Sequence, residues 1–340
     1  MENPCGIKGI AFVEWAPGGA LDAAGLGELF AAFGFSRTHQ HRSAAVEVFR
    51  QHDIRFLVNA QPRGFAADFG AAHGASVCGL GLWVEDPQAA FQAAVARGAR
   101  PWAGPGVPYD VPAILGVGDS LVYFVTPERF WGELAAHPAP LVVPDAGFLA
   151  VDHLTNNVYQ GTLARWSSFY QDVLGFTEVR TFDIRGERTG LYSHALRSPC
   201  GSFCIPINEG TEEKSQIEEY LRDYRGPGVQ HIAFLTDDLI GSLDRMRGGP
   251  VRFLDIDAAY YRTVFERVPG VREDPARLEA LQILVDGDEA GYLLQIFTQN
   301  LVGPIFIELI QRRNHLSFGE GNFGALFRSI ERDQERRGVL

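Results

Sequence analysis

The chain has 340 residues, 46% of them hydrophobic, which is enough to bury two cores and predicts two domains. Its net charge of -12 leaves no basic surface for a phosphate backbone, so we expect no nucleic-acid partner. No apolar stretch reaches transmembrane length and the N-terminus lacks a leader pattern, so we expect a cytoplasmic protein without a membrane partner.

In chain order, one pattern of strand, helix and further strands occurs four times. Each half opens with a strand, "GIKGIAF" or "AVDHLTNNV", followed by a helix that ends in Gly-Phe. Later in each half a second strand, "SVCGLGLWVED" or "GVQHIAFLTDD", leads into a helix. Asp86 and either Asp237 or Asp238 are the expected N-caps of these two helices. The repeat predicts an α+β fold of four βαβββ modules in two open-barrel domains.

The two halves are separated by "HPAPLVVPDAG", residues 137–147, whose three prolines predict a linker. We therefore expect an N-terminal domain over residues 1–137 and a C-terminal domain over residues 148–340. The C-terminal segment "FGEGNFGALFRSIERDQERRGVL" predicts an amphipathic helix with Leu326, Phe327 and Ile330 on its apolar side. This helix would either cap a site as a lid or pack permanently on the barrel.

Aligning the halves reveals three positions with a metal-ligand residue type in the second half and a non-ligand in the first. The pairs are His153 with Gly9, His231 with Gly79, and Glu308 with Tyr123. Two histidines and one carboxylate on three strands form the facial triad that binds non-haem Fe(II) and leaves coordination positions open. The sequence therefore predicts a metal centre in the C-terminal half only.

Each of these residues also has a structural interpretation. A histidine on a half-buried strand is often a hydrogen-bonded core residue, and Glu308 could pair with Arg312. The segment "THQHR" places His39 and His41 on one strand face, but no third ligand stands at a repeat-equivalent position. We interpret that segment as a surface or core strand.

Five segments carry a resemblance to a known family: "VDHLTNNVY", "GVQHIAFLTDD", "LLQIFTQN", "IFIELIQR" and "FGEGNFGALFRSIERDQ". In this order they resemble the 4-hydroxyphenylpyruvate dioxygenase family of the vicinal oxygen chelate superfamily, along nearly the whole chain. The resemblance implies an Fe(II) enzyme of tyrosine breakdown that converts 4-hydroxyphenylpyruvate and O2 to homogentisate and CO2. It implies Fe(II) ligands at His153, His231 and Glu308, and we expect a homo-oligomer, a dimer or tetramer.

The alternation of side chains along two predicted strands suggests which residues share a face near the metal. Gln295 shares a face with Phe297, and Phe306 shares a face with Glu308, so Phe306 should point into the cavity of the metal. The resemblance implies a polar catalytic network of Ser193, Asn208, Gln216, Gln230 and Gln295. It implies substrate contacts from Pro206, Phe297, Phe306, Phe318, Asn322 and Phe323.

Some of these assignments have alternatives. An ideal strand would turn Gln230 away from the face of His231, and Asn208 could be a turn residue. Each glutamine could equally be a solvated or cross-strand amide.

Three other functions stay open from the sequence. Hydroxymandelate synthase uses the same substrate and metal, but "PIN" (206–208) and "GNF" (321–323) match the dioxygenase and favour homogentisate as product. A metal-free ligand-binding protein would have disrupted ligands, whereas all three are intact. A cofactor-free isomerase or a ring-cleaving enzyme on the same metal would need no keto-acid pocket.

Overall fold

The protein is described by a computed structural model that covers residues 2–186 and 188–339. The N-terminal half contains two modules. The first comprises β1 (Ile7–Ala16), α1 (Ala23–Ala32), β2 (Ser36–His41), β3 (Val46–Gln51) and β4 (Ile54–Asn59). After α2 (Phe65–His73), the second comprises β5 (Ser76–Val84), α3 (Pro87–Ala96), β6 (Ala113–Leu115), β7 (Leu121–Val125), α4 (Pro127–Gly132) and β8 (Leu134–Leu141).

The C-terminal half repeats the plan with added helices. Its first module comprises β9 (Phe148–Val158), α5 (Leu163–Ser168), β10 (Thr177–Arg185), β11 (Gly190–Arg197) and β12 (Cys204–Gly210). Then follow α6 (Gln216–Tyr224), β13 (Gly228–Thr236), α7 (Leu239–Met246), α8 (Ala258–Arg267) and α9 (Pro275–Ala280). The last elements are β14 (Leu284–Gly287), β15 (Tyr292–Phe297), β16 (Phe306–Arg313) and α10 (Phe323–Arg336). The predicted α+β fold of four βαβββ modules is confirmed.

Each half forms one eight-stranded sheet in which the first strands of its two modules pair antiparallel at the centre. The N-terminal order is β6-β7-β5-β1-β4-β3-β2-β8, and the C-terminal order is β10-β11-β12-β9-β13-β16-β15-β14. The helix after β5 begins as predicted, since the Asp86 side chain accepts from two backbone N–H groups and Pro87 follows it. Asp238 caps α7 by accepting from the backbone N–H of Gly241.

The segment that was predicted as a linker is partly a strand. β8 runs to Leu141 and pairs antiparallel with β2 at the edge of the N-terminal sheet. Proline is tolerated there because an edge strand has one side without ladder hydrogen bonds. The exact domain limits stay a prediction.

A shared aromatic core joins the two halves. Phe234 of β13 contacts Phe33 at 5.8 Å and Phe56 at 5.7 Å between ring centroids, across the domain boundary. Because side chains alternate along a strand, the neighbouring residue Ala233 points to the other face of the sheet. That face carries the candidate site. No helix in residues 2–186 and 188–339 is long and apolar enough to cross a membrane.

Candidate metal centre and substrate cavity

Three adjacent central strands of the C-terminal sheet carry the predicted ligands. His153 lies on β9 and Glu308 on β16, and both are paired with Ala233 of β13, which stands between them. His231 precedes Ala233 by two residues and therefore shares its face. The small side chain at Ala233 leaves room for the longer side chains on either side to converge above it.

The ligand atoms lie close together. His153 Nε2 is 3.1 Å and His231 Nε2 is 3.5 Å from Glu308 Oε2. One ligand atom from each residue can be chosen so that all three lie within 4.8 Å of one another. Among residues 2–186 and 188–339, this is the one group of His, Cys, Asp and Glu with such geometry.

Hydrogen bonds behind the histidines orient their rings. His153 Nδ1 bonds to Asp152 Oδ2 at 2.8 Å, and His231 Nδ1 bonds to Gln230 Oε1 at 3.0 Å. Both bonds place a proton on Nδ1 and leave Nε2 directed at the carboxylate, as in metal-binding histidines. Arg312 pairs with Asp152 through two bonds of 2.7 and 2.8 Å, so its suggested pairing with Glu308 is wrong. The donor set fits a divalent metal.

Burial and charge set the protonation of the metal-free triad. Burial lowers the pKa of His153, but the charge of Glu308 and hydrogen bonds to Asp152 and Glu308 outweigh it and raise the pKa to about 9. Burial raises the pKa of Glu308, and the charge and hydrogen bond of His153 overcome this and lower the pKa to about 2. Burial lowers the pKa of His231. The carboxylate is thus balanced by a proton on His153, which a bound cation would displace.

The triad opens into a cavity with about 620 Å³ of empty space, including the part of it that is open to solvent. The cavity wall includes every predicted site residue except Asn322. Those residues are His153, Ser193, Pro206, Asn208, Gln216, Gln230, His231, Gln295, Phe297, Phe306, Glu308, Phe318 and Phe323. Asn322 lies behind the wall and donates to Gln295 Oε1 at 3.0 Å. The roles of these residues stay predictions.

Seven further lining residues were not predicted as site residues: Thr155, Phe182, Ile184, Leu191, Leu326, Phe327 and Ile330. Three of them form the apolar side of α10, which the helical spacing had already indicated. Phe182 contacts Phe323 at 5.2 Å between centroids, yet it lies in a mostly exposed strand, and its sequence carries no signal for this contact.

For Gln230 and Asn208, the alternatives to a place in the site are wrong. Gln230 lines the same cavity as His231 because the pairing of β13 with β9 is irregular between Val229 and His231, which interrupts the alternation of faces. Asn208 lies within β12 rather than in a turn, paired directly with Ser193 of β11.

The comparison of the two halves needs one correction. In the N-terminal sheet, Gly81 takes the place of Ala233 and pairs with Tyr123 on one side and Phe12 on the other. The counterpart of His153 is therefore Phe12 and not Gly9, because irregular pairing between Ile7 and Phe12 shifts the alignment. Gly79 and Tyr123 remain the counterparts of His231 and Glu308.

The histidines of "THQHR" are strand residues, as expected. His41 is buried, and His39 lies half-buried with its ring edge-on to Trp131 at 5.1 Å. Neither belongs to a group that could hold a metal in the part of the chain that the structure describes.

The amino-acid sequence of this chain is similar to two protein families and to several individual proteins. Residues 1–136 match the family "Hydroxyphenylpyruvate dioxygenase, HPPD, N-terminal", and residues 150–276 match the "Glyoxalase/Bleomycin resistance protein/Dioxygenase superfamily". The chain is 52% identical to Protein MelA of Shewanella colwelliana, over 100% of this chain and 99% of that one. It is 42% identical to a 4-hydroxyphenylpyruvate dioxygenase of Legionella pneumophila, over 99% and 98%.

Among solved structures, a variant of 4-hydroxymandelate synthase from Streptomyces coelicolor superposes with a TM-score of 0.82. It is 27% identical, and the match covers 96% of this chain and 99% of that one. The two curled sheets define the class as the glyoxalase, or vicinal oxygen chelate, fold. Within that class, the chain belongs to the 4-hydroxyphenylpyruvate dioxygenase family.

Proposed function

We propose that the protein is a 4-hydroxyphenylpyruvate dioxygenase, which uses Fe(II) to convert 4-hydroxyphenylpyruvate and O2 to homogentisate and CO2. The observation that carries the proposal is the triad of His153, His231 and Glu308 at the wall of an aromatic cavity. Relatives that are named for this activity, at 40 to 42% identity, support it. We further propose that the protein acts in tyrosine breakdown in the cytoplasm, as a dimer or tetramer.

His153, His231 and Glu308 would hold the Fe(II). When bound, the metal would supply open positions for a 2-oxo acid and for dioxygen, and with them the oxidising chemistry. Gln295 Nε2 donates to Glu308 Oε1 at 2.9 Å, which leaves Oε2 directed at the histidines. The role of Gln295 is therefore to orient the carboxylate.

The charge of the cavity suits a keto acid that chelates a metal. Its wall, within the described chain, contains no lysine or arginine. A substrate carboxylate therefore finds no unpaired side-chain cation there, because the proton on His153 already balances Glu308, and burying a carboxylate without a partner is costly. Only a cation held by the triad would balance it.

Aromatic and polar walls fit the rest of the substrate. Phe306 stacks on the His231 ring at 4.8 Å and 16°, and Phe318 lies edge-on to His153 at 5.8 Å. Their faces and edges would hold a phenyl ring next to the ligands. Ser193 and Asn208, side by side on neighbouring strands, offer a hydroxyl and an amide to the phenol oxygen, together with Gln216 and Gln230. The apolar side of α10 would exclude water.

A second candidate is 4-hydroxymandelate synthesis from the same substrate. It is favoured by the TM-score of 0.82 to that synthase over nearly the whole chain. The two reactions would differ in which carbon the pocket presents to the oxidant, ring or benzylic. A displacement of about 1 Å is enough to change such a preference.

Product analysis tests the proposal. The purified chain, supplied with Fe(II), O2 and 4-hydroxyphenylpyruvate, should release CO2 and yield homogentisate as the main chromatographic peak. A dominant 4-hydroxymandelate peak would replace the first candidate with the second. Absence of both products together with no iron uptake would favour a metal-free binding protein.

A further inference from the structure

A chain of hydrogen bonds leads from the ligand Glu308 to helix α8, which lies outside the cavity wall. Glu308 Oε1 accepts from Gln295 Nε2 at 2.9 Å, and Gln295 Oε1 accepts from Asn322 Nδ2 at 3.0 Å. Asn322 Oδ1 accepts from the Tyr260 hydroxyl at 2.6 Å. We call these four residues the relay.

The relay has a fixed direction, which is set at its outer end. The backbone N–H of Val285 can only donate, and it donates to the Tyr260 oxygen at 2.7 Å. The carbonyl of Val285 accepts from Arg267 Nη2 at 2.9 Å. The Tyr260 hydroxyl has a single proton, which it donates to Asn322 Oδ1. The distance from the hydroxyl to Asn322 Oδ1 is 2.6 Å, shorter than its 2.8 Å to the Val285 carbonyl.

Each amide group of the relay orients the next group toward Glu308. Once Asn322 Oδ1 is the acceptor for Tyr260, its NH2 group faces Gln295 Oε1. The NH2 group of Gln295 then faces Glu308 and the Phe318 carbonyl, to which it donates at 3.2 Å. Asn322, Gln295 and Glu308 are each at most 2% exposed, so water cannot supply a missing donor. A reversed Gln295 would turn its carbonyl oxygen toward the carboxylate, which is repulsive.

Two glycines make room for the relay in the turn before α10. A Cβ at Gly319 would clash with Gln295 Oε1, and one at Gly321 would clash with Arg267 Nη1. Arg267 itself bonds to Asp286 at 2.6 Å, and Asp286 accepts from the Gly321 backbone at 2.9 Å. The turn is therefore shaped around Gln295 of the relay and around Arg267 beside it.

We propose that Tyr260, supported by Arg267, is a positioning residue for the metal centre: through Asn322 and Gln295 it holds Glu308 so that a single oxygen, Oε2, faces the histidines. The inference rests on the proposed metal centre and extends it to a helix inserted between β13 and β14. Neither residue touches the cavity, so each acts only through its neighbours.

Cobalt(II) replacing the iron provides a readout that is independent of turnover. Tyr260→Phe should weaken Co(II) binding by roughly 10-fold, the low end for loss of a residue that orients a metal ligand. It should also shift the visible absorption of the bound Co(II), because Glu308 Oε1 is released. Tyr261→Phe is the matched control: it removes one buried bond, to the Ile283 carbonyl at 3.1 Å, from the next residue of α8.

Asn322→Asp provides a second test, because it keeps an acceptor for Tyr260 but removes the donor to Gln295. It should shift the Co(II) spectrum as Tyr260→Phe does, and the double variant should add little to either single change. Tyr260→Phe with the same Co(II) affinity and spectrum as Tyr261→Phe would overturn the relay. Wild-type protein that binds Co(II) but forms no homogentisate would instead overturn the proposed function alone. Wild-type protein without Co(II) binding would overturn both.

Discussion

At the scale of single residues, the N-terminal half contains a buried carboxyl group that the sequence did not reveal. Glu14 lies on β1, fully buried, opposite Gly79. Its oxygens accept from Asn59 at 2.8 Å, from Tyr109 at 2.8 Å and from Tyr123 at 2.9 Å. The region that corresponds to the metal centre is thus occupied by hydrogen-bonded side chains.

The protonation of Glu14 predicts a dependence of stability on pH. Burial raises the pKa of Glu14 more than its hydrogen bonds lower it. The folded chain therefore keeps a proton that the unfolded chain loses above about pH 4.3, so this contribution to stability is complete below that pH and is lost as pH rises toward the folded pKa.

The variant Glu14→Gln should gain stability relative to wild type as pH rises, by up to about 1.4 kcal/mol per pH unit in that window. Denaturant unfolding at several pH values measures the difference. Glu28→Gln, at an exposed position, is the control for the loss of a carboxyl group elsewhere in the same domain. A difference between Glu14→Gln and wild type that does not change with pH would show that Glu14 is ionised in the fold.

At the scale of elements, α10 is attached at several points around the cavity. Glu331 accepts from the backbone and hydroxyl of Thr189 at 3.1 and 3.0 Å. One turn further along, the buried Glu219 of α6 accepts from Gln334 at 2.8 Å and from Arg337. The apolar side of the helix, which closes the cavity, precedes these attachments in the chain. These hydrogen bonds must therefore open before the helix can move away from the cavity as a lid.

Removing one attachment should loosen α10 without unfolding the chain. Arg337→Ala leaves Glu219 with fewer donors and should cost about 1.5 kcal/mol locally, the low end for a charged hydrogen bond because Arg337 is partly exposed. Amide hydrogen exchange within α10 should then accelerate by roughly 10-fold.

Arg336→Ala is the matched control, because within residues 2–186 and 188–339 Arg336 pairs only with the exposed Asp255, and such pairs contribute little. Equal exchange rates in the two variants would mean that the contact with Glu219 does not hold the helix.

At the scale of the whole molecule, two copies of one sheet have diverged. In the C-terminal copy, the row of His153, Ala233 and Glu308 lies beside an open cavity. In the N-terminal copy, the equivalent row of Phe12, Gly81 and Tyr123 is packed, with Phe12 and Tyr123 in contact at 5.6 Å. One copy is therefore expected to bind metal and the other to be structural.

Metal stoichiometry tests this division. The purified chain should bind one Fe(II), and His231→Ala should lose both the metal and the turnover while keeping its circular dichroism spectrum. His41→Ala, which removes a buried histidine of the N-terminal sheet, should retain one Fe(II). A second tightly bound equivalent in wild type, or normal oxygen consumption by His231→Ala, would contradict the assignment.

Much of the fold and of the candidate site was determined by the sequence itself. The repeated strand and helix patterns, the caps at Asp86 and Asp238, and the three ligand-type residues depend on local periodicity and residue chemistry. Parity correctly put Phe306 on the cavity beside Glu308 in β16, and Gln295 on the same face as Phe297 in β15, because side chains alternate by a rule internal to each strand.

Tertiary structure alone decided the rest. Phe12 replaces Gly9 as the counterpart of His153, and Gln230 joins the cavity, because irregular pairing is set by hydrogen bonds to strands distant in the chain. Tyr260 and Arg267 meet the turn before α10 only after some 60 residues of chain have folded back. Local sequence determines which face a side chain takes within a regular strand. Register and long-range contacts decide which side chains meet, and they arise from the packing of the whole domain.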